Sequence, residues 1–314
     1  MKKFLVTILS LVLLSTSAYA AKDPDAPAAD CEGLRVATGP AGKGFSKMFA
    51  DMKRISSSSK LNLCEVTSEG SLDNLSVLST KGADVGLVMS DSLKTMALTD
   101  ENIAALKVVA VLNNSYLHIV TSTTGYTYEG PRKMRGLMKG DPIVENITRF
   151  SQLRGKPVAL VGTAQLMVRL IDKQAGLNMS YIDVPTDSKA FELVKNNTVA
   201  AAFTVAGWPA GPIKNLRSAD NLTLVHFDIP AVNSNYGVKP LHYRNVGVYN
   251  VQCLFVRNLL VTRSFSTAEK NSAVSSLKSI ISSNLPALKD GDFEPGWNEI
   301  TSLDANVDWP KFKQ

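Results

Sequence analysis

The sequence lacks the residue clusters that mark metal, nucleotide and hydrolytic sites. It has only three cysteines and three histidines, with no Cys-x-x-Cys pair and no Cys/His cluster, so we predict neither a metal site nor a cofactor. No Gly-x-Ser-x-Gly motif indicates a hydrolase nucleophile. The stretch Gly42-Lys43-Gly44 lacks the glycine spacing and the following Ser or Thr of a P-loop, and no Gly-x-Gly-x-x-Gly follows a strand. These absences weigh against an enzyme.

Concentrated charge is also missing. The chain is 20% charged with a formal net charge of +6, and its basic residues are scattered. Because no basic stripe alternates with aromatic residues, we do not expect a nucleic-acid partner. The mild positive balance attracts an anionic ligand only weakly at physiological salt.

The one long apolar run lies at the N-terminus. Lys2-Lys3 precede the apolar stretch Phe4 to Leu14, and Ala18-Tyr19-Ala20 matches a signal-peptide cleavage site. The run is too short for a typical membrane span, which makes an uncleaved anchor the weaker alternative. No cysteine follows the cleavage site to carry a lipid. We therefore predict a signal peptide over residues 1–20, a disordered leader over 21–30, and a soluble mature protein outside the cytoplasm, in the periplasm of a bacterium.

The cysteines suit an oxidising compartment. Cys31 lies just before the first predicted strand and Cys64 lies within the second. Because neighbouring strands would bring them close, we predict a Cys31–Cys64 disulfide. Cys253, in the β-like run VQCLFV, is predicted to be a buried free thiol.

Two stretches of the chain read as α/β units, which implies parallel sheets with right-handed crossovers. The first has predicted strands at 34–37, 62–67 and 84–89 and helices at 44–55 and 72–80, the latter N-capped by Ser71. The second has strands at 157–161, 180–184 and 200–205 and helices at 165–175 and 188–196. We further predict separate strands at 107–112 and 116–122, an insertion over 123–149, strands at 222–227 and 246–261, and a terminal helix at 267–284.

Small and polar residues follow five of the predicted strands: Thr38-Gly39, Ser68-Glu69-Gly70, Ser90-Asp91, Thr163-Ala164 and Gly207-Trp208. In open α/β sheets, ligands bind outside the carboxyl ends of strands. Free N–H groups at a following helix N-terminus attract anions. A cleft between the two units would collect all five junctions, and we predict that a small carboxylate binds there.

The predicted ligand-binding residues are Thr38, Gly39, Gly42, Gly44, Phe45, Ser68, Glu69, Gly70, Ser71, Ser90, Asp91, Tyr116, Thr163, Ala164, Gln165, Gly207 and Trp208. Structural roles compete with this interpretation at several positions. Ser71 suits a helix N-cap, Glu69 either holds a ligand ammonium or is simply solvated, and Asp91 either caps a helix or contacts ligand. Trp208 forms either a cleft wall or part of the core.

Four segments together resemble a known family: TGPAGKGF (38–45), TSEGSLDNL (67–75), KGADVGLVMSD (81–91) and VAAAFTVAGWP (199–209). They are similar to the TAXI-type (TRAP-associated extracytoplasmic immunogenic) solute receptors, and the resemblance extends over residues 34–282. It implies the α/β type II periplasmic-binding-protein fold, with an interlobe ligand cleft. Lobe one would comprise residues 31–116 and 254–314, and lobe two residues 117–253. One departure is Phe45, where the family pattern has a tyrosine-like aromatic.

The resemblance implies a function as well as a fold. We expect a monomeric solute-binding receptor that captures a small carboxylate, of amino-acid or dicarboxylate type, for the permease subunits of a TRAP-type membrane transporter. The alternative is a ligand sensor or adaptor for a membrane signalling protein. An enzyme on the same scaffold would require a titratable pair or a metal in the cleft.

Overall fold

The computed structural model describes residues 31–133, 138–230 and 235–313, so the predicted signal peptide and leader lie outside the described residues. The strands are β1 (Leu34–Ala37), β2 (Leu63–Val66), β3 (Val85–Met89), β4 (Lys107–Ser122), β5 (Tyr126–Glu129), β6 (Pro142–Glu145), β7 (Pro157–Val161), β8 (Ser180–Val184), β9 (Ala201–Ala206), β10 (Leu222–Leu224), β11 (Tyr236–Tyr243) and β12 (Val248–Thr262). The α-helices are α1 (Gly44–Ser56), α2 (Ser71–Ser79), α3 (Ser90–Met96), α4 (Glu101–Ala104), α5 (Ala164–Ala175), α6 (Asp187–Lys195), α7 (Gly211–Lys214) and α8 (Ala268–Lys289).

Two groups of parallel strands form the two units. In the first unit β1 lies between β2 and β3, and in the second unit β7 lies between β8 and β9. Helices α1 and α2 connect the strands of the first unit, and α5 and α6 connect those of the second. The predicted α/β class with two βαβαβ units is therefore confirmed.

Two long antiparallel strands, β4 and β12, join the units. The strand order is β2-β1-β3-β12-β4-β9-β7-β8, with β12 antiparallel to β3 and β4 antiparallel to β9. Strand β4 has 16 residues and β12 has 15, and the two pair with each other along much of their length. The sheet therefore runs without interruption from one unit to the other.

Helices cover the sheet with apolar side chains. Helix α1 buries Met48, Phe49 and Met52, which share one face because of the helical repeat. Helix α8 packs into the same apolar cluster from the C-terminal part of the chain. Helix α5 buries Val168 and Ile171 in the core of the second unit. Among the helices that the structure describes, none combines the length and apolar character needed to cross a bilayer.

Two predictions of secondary structure were incomplete. The predicted strands at 107–112 and 116–122 form the single strand β4, because the intervening Asn114 and Ser115 keep their pairing with β12. Strand β11 was not predicted, since Gly237 and Pro240 interrupt its pattern. It pairs with β12 at the edge of the path through the sheet, where proline is tolerated. Within the predicted insertion, β5 and β6 form a separate hairpin.

The predicted disulfide between Cys31 and Cys64 is present, with the two Cα atoms 6.1 Å apart. It joins Cys31, shortly before β1, to Cys64 in β2. Strands β1 and β2 pair in a register that sets Leu34 opposite Leu63. Cys253 is a buried free cysteine, as predicted, and burial raises the pKa of its thiol to about 12.

Asp84, at the amino end of β3, forms ion pairs with three cationic side chains. Its carboxylate lies 2.9 Å from Arg35 Nη2, 3.0 Å from Arg263 Nη2 and 2.9 Å from Lys270 Nζ. These partners come from β1, from the residue after β12 and from α8. Burial alone would raise the pKa of Asp84, but hydrogen bonds from Arg35 and Lys270 and the Arg35 charge hold it at about 2. One carboxylate thus joins three elements of the first unit.

The substitution Asp84→Asn should lower the free energy of unfolding by about 3 kcal/mol, because three cations would then face a neutral amide in a buried site. Urea denaturation at pH 7 measures this. Asp308→Asn is the matched control, since Asp308 is an exposed partner of Lys94 and its loss should cost less than about 0.5 kcal/mol.

The sign of the pH dependence follows from the same carboxylate. Its folded-state pKa of about 2 lies below the ordinary aspartate value of 3.8, so its stabilising contribution is complete above about pH 4 and is lost as the pH falls toward 2. The Asp84→Asn protein should lack this part of the acid-induced loss of stability. Parallel acid profiles for the parent and the variant would contradict the assignment.

Replacing both bonded cysteines, Cys31→Ser with Cys64→Ser, should lower the free energy of unfolding by roughly 3–4 kcal/mol, because the unfolded chain regains the freedom of an open loop. Urea denaturation with and without dithiothreitol measures this. Reductant should bring the parent to the stability of the variant and leave the variant unchanged. If the variant and the unreduced parent unfolded at the same urea concentration, the disulfide would not be stabilising.

Candidate ligand-binding site

The carboxyl ends of both groups of parallel strands point toward the middle of the β4–β12 pair. Met89, the last residue of β3, pairs with Asn258 of β12, and Ala206, the last residue of β9, pairs with Tyr116 of β4. Tyr116 itself pairs with Phe255, close to Asn258 along β12. Since β3 and β9 run in opposite directions, their ends face each other across the strands that join the units.

A cavity of about 350 Å³ lies between the two units, at the carboxyl ends of β2, β7 and β8. The first unit lines it with the turn after β2 and the first turn of α2, and the second unit lines it with the start of α5 and the end of β8. The lining residues are Glu69, Leu72, Asp73, Gly162, Thr163, Gln165, Val184 and Pro185. The structure thus brings three of the predicted residues, Glu69, Thr163 and Gln165, to one cavity.

Three junctions lie next to one another around Gly39 and Gly70. Gly39 and Gly70 have φ angles of +139° and +120°, a region that other residues rarely adopt. A Cβ atom on Gly39 would lie 3.5 Å from the Gly70 Cα, and one on Gly70 would lie 3.6 Å from Thr163 Cγ2. The junctions after β1, β2 and β7 are therefore adjacent, as the prediction of a shared cleft requires.

Asn74 on α2 holds the strand ends of the first unit together. Its side chain is fully buried and donates from Nδ2 to the Thr38 carbonyl at 2.9 Å and to the Leu87 carbonyl at 2.6 Å. Its Oδ1 accepts a hydrogen bond from Ser68 Oγ at 2.6 Å. One amide therefore links β1, β3 and the turn after β2. It sets the positions of Thr38 and Ser68, two of the predicted site residues.

Ser71 is not the N-cap that the sequence pattern suggested. The N-cap of α2 is Gly70, and Ser71 is the first helical residue. Its hydroxyl instead accepts a hydrogen bond from the Met89 amide at 2.8 Å and is fully buried. The interpretation as a cap is wrong because the extended turn through Gly70 moves the helix start by one residue.

Ser90 and Asp91 lie at the start of α3 and are almost completely buried. Asp91 accepts hydrogen bonds from the Ser92 amide at 2.7 Å and from the Tyr236 hydroxyl at 3.0 Å. Burial raises the pKa of Asp91 despite these bonds. The contact joins the first unit to β11. Sequence analysis missed Tyr236 because it missed the strand that carries it.

The glycine-rich turn before α1 lies at the surface. Gly42 and Gly44 are exposed, and a Cβ atom on either would meet no atom within 4 Å. Phe45 is half-buried and packs against the apolar clusters of both units. The turn therefore contributes an apolar contact between the units, while its glycines do not line the cavity.

The side chains of Ala164, Tyr116 and Trp208 have partners elsewhere, and neither these residues nor Gly207 are among those that line the cavity. Ala164 is buried in the core of the second unit. Tyr116 donates its hydroxyl to Glu299 Oε1 at 2.5 Å, and burial raises its pKa. Trp208 packs against a further apolar cluster, which contains Phe191 and Leu241, and against His242, with ring centroids 5.0 Å apart. A Cβ atom on Gly207 would lie 3.7 Å from Asn113 Nδ2.

A buried polar network marks the middle of the joining strands, and sequence analysis did not single it out. Asn258 donates to Asn113 Oδ1 at 3.0 Å and accepts from Ser115 Oγ at 2.9 Å. All three residues are buried. The only sequence signal was the polar break that split the predicted strand at 113–115. These residues lie where the chain passes between the units.

The electrostatics of the cavity favour a ligand of mixed charge. Glu69 and Asp73 bring carboxylates, with the Glu69 amide donating to Asp73 Oδ2 at 3.0 Å. The 12-residue helix α5 points its N-terminus at the cavity, and the side chain of its N-cap, Thr163, makes no capping hydrogen bond. One side of the cavity thus suits a cation and the other an anion.

The histidines do not combine with these groups. His118 is fully buried, its Nε2 lies 2.7 Å from the Tyr243 hydroxyl, and burial lowers its pKa to about 4. Over the described ranges, no group of three or more His, Cys, Asp or Glu side chains is arranged to hold a metal ion.

Comparisons with known proteins give similarity of fold only. No protein-family model matches the chain, and no curated protein matches it by sequence. Among solved structures, the substrate-binding protein of an amino acid ABC transporter shares 12% identity, with a TM-score of 0.48 over 82% of this chain and 97% of that one. The GluR0 ligand-binding core from Nostoc punctiforme, in complex with L-glutamate, shares 13%, with a TM-score of 0.47 over 83% and 100%. AbpA from Streptococcus pneumoniae, an amino acid ABC transporter substrate-binding protein bound to L-arginine, shares 13%, with a TM-score of 0.48 over 85% and 95%.

Replacing Asn74 by Ala should lower the free energy of unfolding by about 2–3 kcal/mol, because it leaves two buried carbonyls without their donor. Urea denaturation measures the loss, and hydrogen exchange at residues 67–75 should rise with it. Ser76→Ala is the matched control on the same helix, since the Ser76 hydroxyl is exposed and bonds only within α2. Equal stabilities of the two variants would contradict the role of Asn74.

Proposed function

We propose that this chain is a solute-binding receptor that holds one small carboxylate-bearing molecule between two lobes. The observation that supports it best is the cavity at which the strand ends of both units and the N-terminus of α5 meet. Ligands of open α/β sheets bind outside the carboxyl ends of strands. Here two groups of parallel strands in one sheet offer their carboxyl ends to the same space.

The charges around the cavity support an amino acid over a dicarboxylate. The ligand carboxylate would lie at the amides of Gly162, Thr163 and Ala164, with the Thr163 hydroxyl as a further donor. The ligand ammonium would lie against Glu69 and Asp73. A dicarboxylate would place its second anionic group near these two carboxylates, where like charges repel.

Binding and release require the lobes to move. In the proposed receptor, lobe one comprises residues 31–116 and 254–314 and lobe two residues 117–253. In the proposed motion the strands would bend at Asn113–Ser115 and Asn258, where the polar network lies. A ligand closes the lobes only if it binds the closed form more tightly than the open one. The closed receptor would then deliver its ligand, outside the cytoplasm, to the permease of a TRAP-type membrane transporter.

Thermal-shift and calorimetric screens of the purified mature protein test the proposal. The probes are the common L-amino acids and a matched set of dicarboxylates, including succinate, malate and 2-oxoglutarate. We expect at least one amino acid to raise the melting temperature by several degrees, since a ligand that binds only the folded state stabilises it by mass action. Failure of every probe to stabilise the protein would overturn the proposed ligand class.

Glu69→Gln should weaken binding of the best amino acid about tenfold, because the ligand ammonium loses a charged partner. The same substitution should leave the weak binding of dicarboxylates unchanged or improve it. Titration calorimetry measures both. Glu101→Gln, on the exposed first turn of α4, is the matched control. If Glu69→Gln weakened the binding of amino acids and of dicarboxylates equally, Glu69 would not be the residue that recognises the ligand ammonium.

A further inference from the structure

An ion pair connects the two units beside the cavity. Lys43 Nζ lies 3.7 Å from Asp187 Oδ2. Lys43 is the N-cap of α1, in the turn after β1, whereas Asp187 is the first residue of α6. Pro185, two positions before Asp187, lines the cavity. The pair therefore bridges the cleft at a point where any separation of the units would pull it apart.

The two partners are buried to very different extents. The Lys43 side chain is 64% exposed, whereas that of Asp187 is 16% exposed. Asp187 Oδ1 is buried and has no hydrogen-bond partner within the described parts of the chain. Lys189, two residues further along α6, pairs with Glu192 instead. The Asp187 carboxylate is thus partly removed from water and depends on Lys43 for its cationic partner.

Because their burial differs, the two partners contribute unequally to the stability of the arrangement in which the units are in contact. With the units together, Asp187 gives up water on one oxygen without gaining a hydrogen bond, which is unfavourable. Lys43, being mostly exposed, is hydrated in both arrangements. The lysine offsets this cost only while the units are in contact, because separation of the units would take Lys43 away from Asp187.

We propose that Lys43 and Asp187 form an electrostatic latch that sets the balance between the open and closed arrangements of the two lobes. The proposal rests on the proposed function in one respect, namely that the lobes move apart and together around the cavity. It adds a regulation of that motion by ionic strength, because an ion pair with one exposed partner is weakened by salt.

Single-molecule energy transfer between dyes on the two units measures the open-to-closed ratio without any ligand. Lys53→Cys on α1 and Lys173→Cys on α5 place the dyes at exposed positions of opposite units. The native cysteines do not compete for dye, since Cys31 and Cys64 are bonded and Cys253 is buried. Urea denaturation of each labelled variant confirms that it is folded.

Three variants separate the latch from a general loosening. Lys43→Ala should raise the open-to-closed ratio about tenfold, because it leaves the Asp187 carboxylate uncompensated in the closed form. Asp187→Asn should change the ratio by no more than about twofold, since the exposed lysine is simply hydrated. The double variant Lys43→Ala with Asp187→Asn should return to within about twofold of the parent. Raising NaCl from about 0.05 to 1 M should open the parent and not the double variant.

Two results would overturn the latch. One is an unchanged ratio in Lys43→Ala. The other is a double variant at least as open as Lys43→Ala alone, which would show that Lys43 acts by some route other than the Asp187 charge. Because no ligand is present, either result is independent of the ligand screen. If the protein bound amino acids but its open-to-closed ratio did not depend on Lys43, only the latch would be refuted and the proposed function would stand.

Discussion

The antiparallel pairing of β4 with β12 is the constraint on which the rest of the structure depends. Each of these strands pairs on its outer side with a strand of one unit, β12 with β3 of the first and β4 with β9 of the second. The pairs β3–β12, β12–β4 and β4–β9 are all antiparallel. The two parallel groups therefore run in opposite directions, and their carboxyl ends converge. The turns and helix N-termini that follow those strands then meet at the cavity. A parallel crossover pair would have sent the two sets of strand ends to the same edge of the sheet, side by side and not facing each other.

The converging residues divide into those that build the site and those that remain available to a ligand. The side chains of Ser68 and Ser71 form hydrogen bonds within the first unit, to Asn74 and to the Met89 amide. They keep the first unit in shape where its backbone turns sharply. Glu69 and Thr163, by contrast, reach the cavity, and Thr163 makes no capping hydrogen bond. Fixed backbone geometry with a few available polar groups is the usual arrangement of small-molecule sites.

Local features of the fold could be predicted from the sequence, whereas long-range contacts could not. Strands β1, β7 and β8 have the predicted bounds, because each is a short β-rich run that ends at a polar or glycine-containing turn. The disulfide followed from neighbouring strands. Strand β4 was split in the prediction because Asn113–Ser115 look like a turn, yet sheet pairing and a buried partner, Asn258, satisfy them. The hydrogen bond between Tyr236 and Asp91 joins residues 145 positions apart in the sequence, and no local sequence pattern predicts it.

Three carboxylates between the outer end of β3 and the cleft differ in how completely their negative charge is compensated. Asp84, at the amino end of β3, has three cations and a pKa held at about 2. Asp91, just past the carboxyl end, is held by an amide and two hydroxyls, and its pKa is raised. Asp187, across the cleft, has one exposed lysine and one oxygen without a hydrogen bond in the described part of the chain. Asp84, the carboxylate farthest from the cleft, is therefore the most fully compensated of the three. In the proposed receptor, opening would break the Lys43–Asp187 pair and the apolar contact of Phe45 between the units. It would leave the three cations around Asp84 in place, because that cluster lies within the first unit.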